Sequence, residues 1–543
     1  MRRCLYLSFL IPFLISCAQL GPSSEEQMSA IPRVAGDADL PAYVTEPVQL
    51  VETHDDIPTQ AMPAPVDDVW ERIRRGFTIA DAEHPRIKTQ LDWYVRHQDY
   101  LDRVADRAQP YMHFIVETLE ENDIPLELAL LPIVESAFKP FAYSHGRASG
   151  IWQFIPSTGR RYGLTQNWWY DGRRDVYAAT HAAVRLLLAL KRDFKGDWLL
   201  ALAAYNSGSG TVKKSIRRNR QKGKPTDFWS LDLPTETEAY VPKLLALQKI
   251  VRSPMAHGIE LTPIPNEPYL DHIDVGSQID LAVAAEMAEI DLEELYELNP
   301  GYNRWATAPN GPNYLLLPLS KSEQFKQRLA ELPEQDRVRW VRYKIKEGET
   351  ISTIAAKHHT SIRTIKRVNR IRGNSIRAGR SLTIPVASQS LRNYKLSKNQ
   401  RKKQLQDTPR RGTKVNYIVQ DGDTFWDLAR AHNVGVRQLA RWNGMAPRDP
   451  LTPGQKLVIW SRSGFIRTSA NHNDVAAPPN RQLTKRIGYR VRRGDSLARI
   501  SQKFKVSIGQ LKRWNKSRLV KGNLLRPGQY LTLFVDVMRQ SGS

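Results

Sequence analysis

Apolar residues recur at intervals of three and four between residues 66 and 255, as in helices that bury one face. The clearest runs are LDWYVRHQDYLDRVADRAQPYMHFIVETLEEN, from residue 91, and ATHAAVRLLLALKRDF, from residue 179. The loops between the helical runs are rich in glycine, serine and asparagine, as in SHGRASG and YNSGSG. The pattern predicts a helical domain with small polar loops, which is where a rigid scaffold often carries its functional site.

A different pattern repeats three times after residue 338: short strand, glycine turn, two helices and short strand. The copies begin YKIKEGET at 343, YIVQDGDT at 417 and YRVRRGDS at 489. In each copy a glycine and the closing asparagine are 21 residues apart, and a G-x-x-L strand pattern follows. Agreement in order and spacing indicates repeated modules, which we expect at 341–385, 415–460 and 487–535. The polar, basic segments between them are expected to be unstructured linkers.

A fainter copy precedes these three. Residues 265–320 show the same order of elements, with Gly276 and Asn299 spaced 23 apart. This segment is acidic where the other copies are basic. We interpret it as a degenerate module packed on the helical domain.

The N-terminus indicates export. A basic start, MRR, is followed by an apolar run, Leu5 to Ile15, that is too short to span a membrane. It ends in LISC, which resembles a bacterial lipobox and implies a signal peptide at 1–16 and lipidation of Cys17; an ordinary secretory signal is the alternative. Ala18, rather than Asp, then implies the periplasmic face of the outer membrane. Residues 17–65, rich in Pro, Ser and acidic groups, are expected to be a flexible tether.

Charge divides the chain. The formal net charge of the 543 residues is +24, but residues from 338 onward carry 44 Lys and Arg against 10 Asp and Glu, while the rest carries 36 against 46. A basic tail raises a nucleic-acid hypothesis. Export and the lack of a recognised motif argue against nucleic acid, so the expected partners are anionic cell-wall groups or lipid headgroups. A solvated basic surface with only weak attraction is the alternative.

Glu135, in PIVESAF, stands at the end of an apolar run. Burial raises the pKa of a carboxyl, which suits a general acid that protonates a poor leaving group such as a sugar oxygen. A solvated or arginine-paired glutamate at a helix end is the alternative. The residue alone does not decide between them.

Three later motifs favour catalysis: SGIWQF at 149–154, AAYNSG at 203–208 and ETEAYVPKLLAL at 236–247. Together with Glu135 they resemble the lytic transglycosylase family, which implies a mainly α, lysozyme-like catalytic domain, placed here at 66–255. The resemblance implies one catalytic acid and base, Glu135, and substrate-binding roles for Ser136, Gln153, Tyr205, Asn206 and Tyr240. The family often has Leu-Met before the glutamine, where this chain has Ile-Trp. Each of these residues also has a purely structural alternative, as a cap, a core side chain or a hydrogen bond.

A second carboxylate is not evident from the sequence. Asp171 and Asp175 precede a helix and are expected to be turn and N-cap residues. Glycosidases with two carboxylates use the second as nucleophile or base. With one, the resemblance implies that the muramic-acid 6-hydroxyl attacks its own anomeric carbon and leaves a 1,6-anhydro end. A lysozyme-type hydrolase and a non-catalytic wall-binding protein are the alternatives; no cofactor or metal is expected.

The repeated modules resemble LysM domains, which implies small α+β (βααβ) units that bind N-acetylated glycans in a shallow groove. By this resemblance Gly422, Asp423, Thr424 and Asn443 are candidate glycan-binding residues, although glycine and asparagine there could only set the turns. Linked weak binders raise the effective concentration of the polymer. The expected fold class is therefore multidomain: a helical catalytic domain followed by small α+β modules, with peptidoglycan as partner.

Overall fold

The computed structural model describes residues 66–461, 484–491, 495–504 and further positions up to 536. The expected signal peptide, the tether, Cys17 and parts of the third module lie outside the described residues. Within those ranges, no helix combines the length and apolar character needed to cross a membrane.

The first part of the described chain is helical. Its helices are α1 (Val69–Arg75), α2 (Pro85–Val95), α3 (Gln98–Glu120), α4 (Leu131–Ser136), α5 (Pro156–Arg161), α6 (Val176–Asp193), α7 (Trp198–Ser207), α8 (Ser209–Gln221) and α9 (Thr235–Arg252). The core packs around α7, whose Leu200–Ala204 stretch is fully buried. Small alanine side chains there let α6, α8 and α9 approach closely. Side-chain caps at Asp175 and Asp197 fix the starts of α6 and α7.

Three complete βααβ modules follow, and the described residues of a fourth include its two strands and its first helix. Their antiparallel pairs are β1 (Leu270–Asp274) with β2 (Tyr314–Pro318), β3 (Arg339–Lys344) with β4 (Ser381–Val386), β5 (Thr413–Ile418) with β6 (Lys456–Ser461), and β7 (Thr484–Arg490) with β8 (Tyr530–Asp536). The enclosed helices are α10 (Leu281–Ala288), α11 (Leu292–Leu298), α13 (Ile351–Lys357), α14 (Ile362–Val368), α16 (Phe425–Ala431), α17 (Val436–Trp442) and α18 (Leu497–Lys503). Two connecting helices are α12 (Leu319–Glu331) and α15 (Lys398–Asp407). The predicted fold class is confirmed.

The closing asparagine has the same hydrogen bonds in all four modules. Its side-chain amide donates to the carbonyl four residues earlier and to a carbonyl on the last strand, and its oxygen accepts from the N–H of that same strand residue. The four residues are Asn299, Asn369, Asn443 and Asn515. Each amide therefore joins the second helix to the sheet, which accounts for the regular spacing seen in the sequence.

The acidic module contacts the helical domain, where Tyr314 donates to Asp175 at 2.8 Å, and two of the basic modules do so as well. The expectation of an unstructured linker is wrong for the segment between the first two basic modules, which contains α15.

In the first basic module, Trp169 Nε1 donates to Thr364 Oγ1 at 3.3 Å. In the second, Asp449 lies 2.7 Å from Arg147 Nε. The basic segment between them includes α15, where the Arg401 guanidinium stacks 4.1 Å from the Phe141 ring centroid. Aromatic and charged side chains make these contacts. The hydrophobic periodicity of the sequence does not predict them.

Candidate active site

Glu135 lies in the last turn of α4, at the wall of a cleft of about 790 Å³. The helix begins with the buried residues Leu131, Pro132 and Ile133, so its apolar start anchors it in the core. It ends at once because Ala137 and Phe138 both have left-handed backbone, with φ of 53° and 54°. This sharp end leaves the Glu135 side chain half-buried at the cleft surface.

The surroundings of Glu135 favour its neutral form. Burial raises the pKa of the Glu135 carboxyl to about 7, and the nearby charge of Glu236 acts in the same direction. The Tyr240 hydroxyl donates to Glu135 Oε1 at 2.7 Å, and this bond lowers the pKa, as does Lys243 more weakly. Burial dominates, so the group can both hold and release a proton near neutral pH.

Gln153 is held on the cleft wall by a strained loop. Its own φ is +48°, and its side-chain amide donates to the carbonyl of Gly150 at 2.7 Å. A Cβ on Gly150, whose φ is +83°, would lie 1.8 Å from the carbonyl oxygen of Arg173, so no other residue fits there. Trp152 beside it is fully buried and donates to Thr180 Oγ1.

Hydrogen bonds to this loop position Ser136 and Tyr205, and a hydrogen bond from α9 positions Asn206. The Ser136 hydroxyl donates to the carbonyl of Ile151 at 3.0 Å, and the Tyr205 hydroxyl donates to the carbonyl of Trp152 at 2.8 Å. Asn206 Oδ1 accepts from Thr237 Oγ1 at 2.7 Å. Helices α4, α7 and α9 are thereby connected at the cleft.

The structure brings five of the six predicted residues together as cleft lining: Glu135, Gln153, Tyr205, Asn206 and Tyr240. Ser136 is outside that lining, and its hydroxyl is directed at backbone carbonyls of α4 and of the loop. We therefore assign Ser136 to holding the wall of the cleft rather than to the sugar.

Two cleft carboxylates, Glu236 and Asp193, were missed by the sequence reasoning. Glu236 lies one helical turn before Tyr240 on α9, and that spacing could have revealed it. Its side chain is exposed, and its charge acts on Glu135. Asp175 is the N-cap of α6, as predicted, and Asp171 pairs with Arg173 at 2.7 Å in the turn before it.

The four candidate glycan residues of the second basic module have structural roles inside it. Gly422 has a φ of +84°, and Asp423 accepts from the Tyr417 hydroxyl and the Gln420 N–H. Thr424 caps α16, and Asn443 is fully buried, with its amide used inside the module. Asn443 has no amide hydrogen left for a sugar, because both are already donated.

Family models define the class first. The Transglycosylase SLT domain matches residues 112–228, the LysM-like domain of lytic transglycosylase MltD matches 269–334, and the LysM domain matches 343–385, 417–460 and 489–534. The chain is thus of the class that joins a transglycosylase domain to LysM modules.

Curated relatives then give the particular family. Membrane-bound lytic murein transglycosylase D of Escherichia coli is 37% identical over 420 residues, covering 75% of this chain and 88% of the relative. The autolysin of Enterococcus faecalis is 30% identical over 187 residues, covering 34% of this chain and 23% of the relative. A solved structure of an inactive lytic transglycosylase Slt from Pseudomonas aeruginosa is 18% identical, covers 35% of this chain and 33% of that one, and has a TM-score of 0.22, from which no structural inference follows. The chain belongs to the family of membrane-bound lytic murein transglycosylase D.

Proposed function

We propose that the chain cleaves the β-1,4 bond between N-acetylmuramic acid and N-acetylglucosamine in peptidoglycan and leaves 1,6-anhydromuramic acid ends. One observation carries the proposal: a half-buried carboxyl, Glu135, has a pKa of about 7 and a 2.7 Å hydrogen bond from Tyr240 inside a polymer-sized cleft. Family membership supports the same reaction.

Glu135 acts twice in the proposed cycle. As an acid it gives its proton to the glycosidic oxygen, while the bond from that oxygen to the anomeric carbon of the muramic acid breaks. As a carboxylate it then takes the proton from the muramic-acid 6-hydroxyl, whose oxygen bonds to the same anomeric carbon. Water is not consumed, and the proton returns to Glu135 for the next cycle. Attack within one sugar has a large effective concentration when the cleft holds the ring in place.

The other cleft residues hold the sugar and the acid. Tyr240 stabilises the carboxylate form through its hydroxyl, which is needed when Glu135 becomes a base. Gln153 donates one amide hydrogen to its own loop, so its side-chain oxygen and its second amide hydrogen are the groups proposed to contact the glycan. Tyr205 and Asn206 shape the wall on α7.

A hydrolase with two carboxylates is the second candidate, because Glu236 lines the same cleft. The exposed position of Glu236 suits a solvated charge that raises the pKa of Glu135, rather than a nucleophile held against the sugar.

Product analysis tests both candidates. Purified peptidoglycan is digested with the wild type, Glu135→Gln and Glu236→Gln, and the fragments are weighed by mass spectrometry. We expect anhydro ends from the wild type, at least a thousandfold loss of cleavage in Glu135→Gln with unchanged wall binding, and retained anhydro products in Glu236→Gln. Reducing ends from the wild type, together with loss of activity in Glu236→Gln, would replace the proposal with hydrolysis. Absence of any cleavage by the wild type would leave a wall-binding protein.

We also propose that Cys17 is lipidated after removal of residues 1–16, which anchors the chain at the periplasmic face of the outer membrane. The LISC motif and the membrane-bound relative support this. In cells, Cys17→Ala should move the protein from the membrane fraction to the soluble fraction, because several acyl chains on one residue anchor firmly. An unchanged membrane fraction would contradict lipid anchoring.

We propose finally that the LysM modules bind the glycan of the same polymer, through the grooves framed in the second module by residues 422–424 and by the loop after Asn443. Each module then adds to the effective concentration of strand near the cleft.

A further inference from the structure

A second cavity, of about 870 Å³, lies between the helical domain, the acidic module and the first basic module. Its walls are the loop 163–172, the segment 308–314 and one face of α14. The segment 308–314 joins the second helix of the acidic module to its last strand, the same place in the module as the loop after Asn443, whereas the loop 163–172 and α14 are not groove loops. No residue assigned to a site above lines this cavity.

The walls of this cavity carry three kinds of group that recognise anionic sugars. Trp168 offers a half-buried aromatic ring, on which the Arg304 guanidinium stacks at 3.9 Å, so a sugar can pack only on the remaining surface of the ring. The exposed Asn167 offers its amide nitrogen, because its side-chain oxygen accepts from the N–H groups of Trp169 and Tyr170.

Arg363 and Arg367 stand one helical turn apart on α14, facing the same cavity, and both are exposed. Arg367 donates to the carbonyl of Pro309 at 3.1 Å. Among the residues that the structure describes, neither guanidinium forms an ion pair with a carboxylate.

Hydrogen bonds hold the two sides of the cavity together. Besides the bond from Trp169 to Thr364, Trp305 Nε1 donates to the carbonyl of His359 at 3.0 Å. Both indoles are buried, and their rings meet edge to face at 5.7 Å. The first basic module thus presents its two arginines at a set position opposite the aromatic loop.

The cavity and the catalytic cleft share one stretch of chain. Thr158, Arg161 and Tyr162 line the cleft, and the next residues, Gly163 and Leu164, line the cavity. A polymer occupying one would pass close to the other.

We propose that this cavity binds a carboxylate-bearing stretch of the peptidoglycan strand, with a sugar ring against the Trp168 side and a carboxylate between Arg363 and Arg367. The inference rests on the proposed function in one respect, that peptidoglycan is the polymer. Aromatic faces pack on sugar rings, and guanidinium groups bind carboxylates with two hydrogen bonds. The carboxylate belongs either to the stem peptide or, on muramic acid that has lost its peptide, to the lactyl group.

Binding to purified, insoluble peptidoglycan tests the proposal. The full chain carrying Glu135→Gln, which prevents digestion, is sedimented with the polymer, with and without Arg363→Ala and Arg367→Ala. We expect the double variant to bind about three- to tenfold more weakly. The matched control is Arg342→Ala with Lys344→Ala, which removes the same charge from an exposed face of β3 in the same module. Equal weakening in both pairs, or none in the first, would overturn the proposal.

Two further polymers identify the carboxylate and separate this proposal from the catalytic one. An amidase that removes the stem peptides hydrolyses their amide bond to the lactyl group, so the stripped polymer carries lactyl carboxylates and no peptide carboxylates. Selective weakening on intact material alone assigns the stem peptide, weakening on stripped material alone assigns the lactyl group, and weakening on both shows that the site accepts either carboxylate. Uncharged chitooligosaccharide should bind both double variants equally, and a selective loss there would contradict a carboxylate site. The binding assay does not depend on cleavage. A negative binding result would therefore not contradict the catalytic proposal, and a lack of anhydro products would not affect the interpretation of the binding assay.

Discussion

At the scale of single residues, the balance of effects on Glu135 sets the chemistry. Burial favours the neutral acid, whereas the Tyr240 hydroxyl favours the carboxylate. A cycle that uses one group first as acid and then as base needs both states near the working pH. Two opposed influences on one carboxyl supply them.

The Tyr240 hydroxyl can be removed to test this balance. In Tyr240→Phe the pKa of Glu135 loses a lowering influence and rises, so the acid form persists to higher pH. Because the pKa of Glu135 is about 7, we expect the alkaline limb of the wild-type kcat/KM profile near pH 7 and expect the variant to move it upward by roughly one unit. Tyr205→Phe is the matched control, because its hydroxyl donates to the carbonyl of Trp152. Equal profiles for the two variants would show that the hydrogen bond to Glu135 does not set its pKa.

At the scale of elements, the closing asparagine of each module links the second helix to the sheet through hydrogen bonds. Each described sheet has two strands, so the outer edge of the last strand has no neighbouring strand to pair with. The asparagine side chain pairs with one N–H and one carbonyl of that strand instead. The module cores are small: in the second module the fully buried cluster includes Phe425, Leu439 and Ile459. In such a small core a satisfied buried amide carries a large share of the stability.

Asn443→Ala should therefore loosen the second module without unfolding the rest. Loss of the amide leaves the buried N–H and carbonyl of Val458 without this partner, and we expect the free energy of local opening to fall by about 2–4 kcal/mol. Hydrogen exchange of β5, β6 and α17 in the full chain measures it. Asn416→Ala, at an exposed position on β5, is the control and should change little. Unchanged hydrogen exchange in Asn443→Ala would show that the Asn443 amide does not stabilise the module.

Sequence reasoning reached these elements unevenly. Period and spacing predicted the helical domain and the repeated modules, because burial on one face and a fixed asparagine leave a pattern in the chain. The exposed Glu236 left a weaker signal, its position one helical turn before Tyr240, which marks a cleft residue only once Tyr240 is itself placed in the cleft. The docking of α14 through Trp169 and Thr364 joins residues 195 apart in sequence, and only the folded chain shows such a contact.

At the scale of the whole molecule, charge and catalysis are divided. The part that carries Glu135 has a net charge of −10, whereas the part from residue 338 onward has +34. Attraction to anionic wall groups is therefore concentrated in the modules, away from a cleft whose acid must stay protonated.

This division predicts a selective effect of salt. Raising the ionic strength from low to above physiological levels should weaken binding to intact peptidoglycan several-fold, because exposed charges more than about 10 Å apart become screened. The rate of cleavage of a short glycan whose stem peptides carry no charge should change little over the same range of ionic strength. Sedimentation and product assays in one salt series measure both. Parallel losses would place the charge dependence in the cleft itself.

The hydrogen bonds of the closing asparagine have a consequence for the evolution of such chains. The bonds that the four asparagines share stay inside each module, so a copied gene segment brings that set of partners with it, although Asn443 also accepts from Gln406 on α15. Adding or deleting a copy then requires no compensating substitution elsewhere. The number of LysM modules can therefore change by duplication and loss, while the helical catalytic domain remains unchanged.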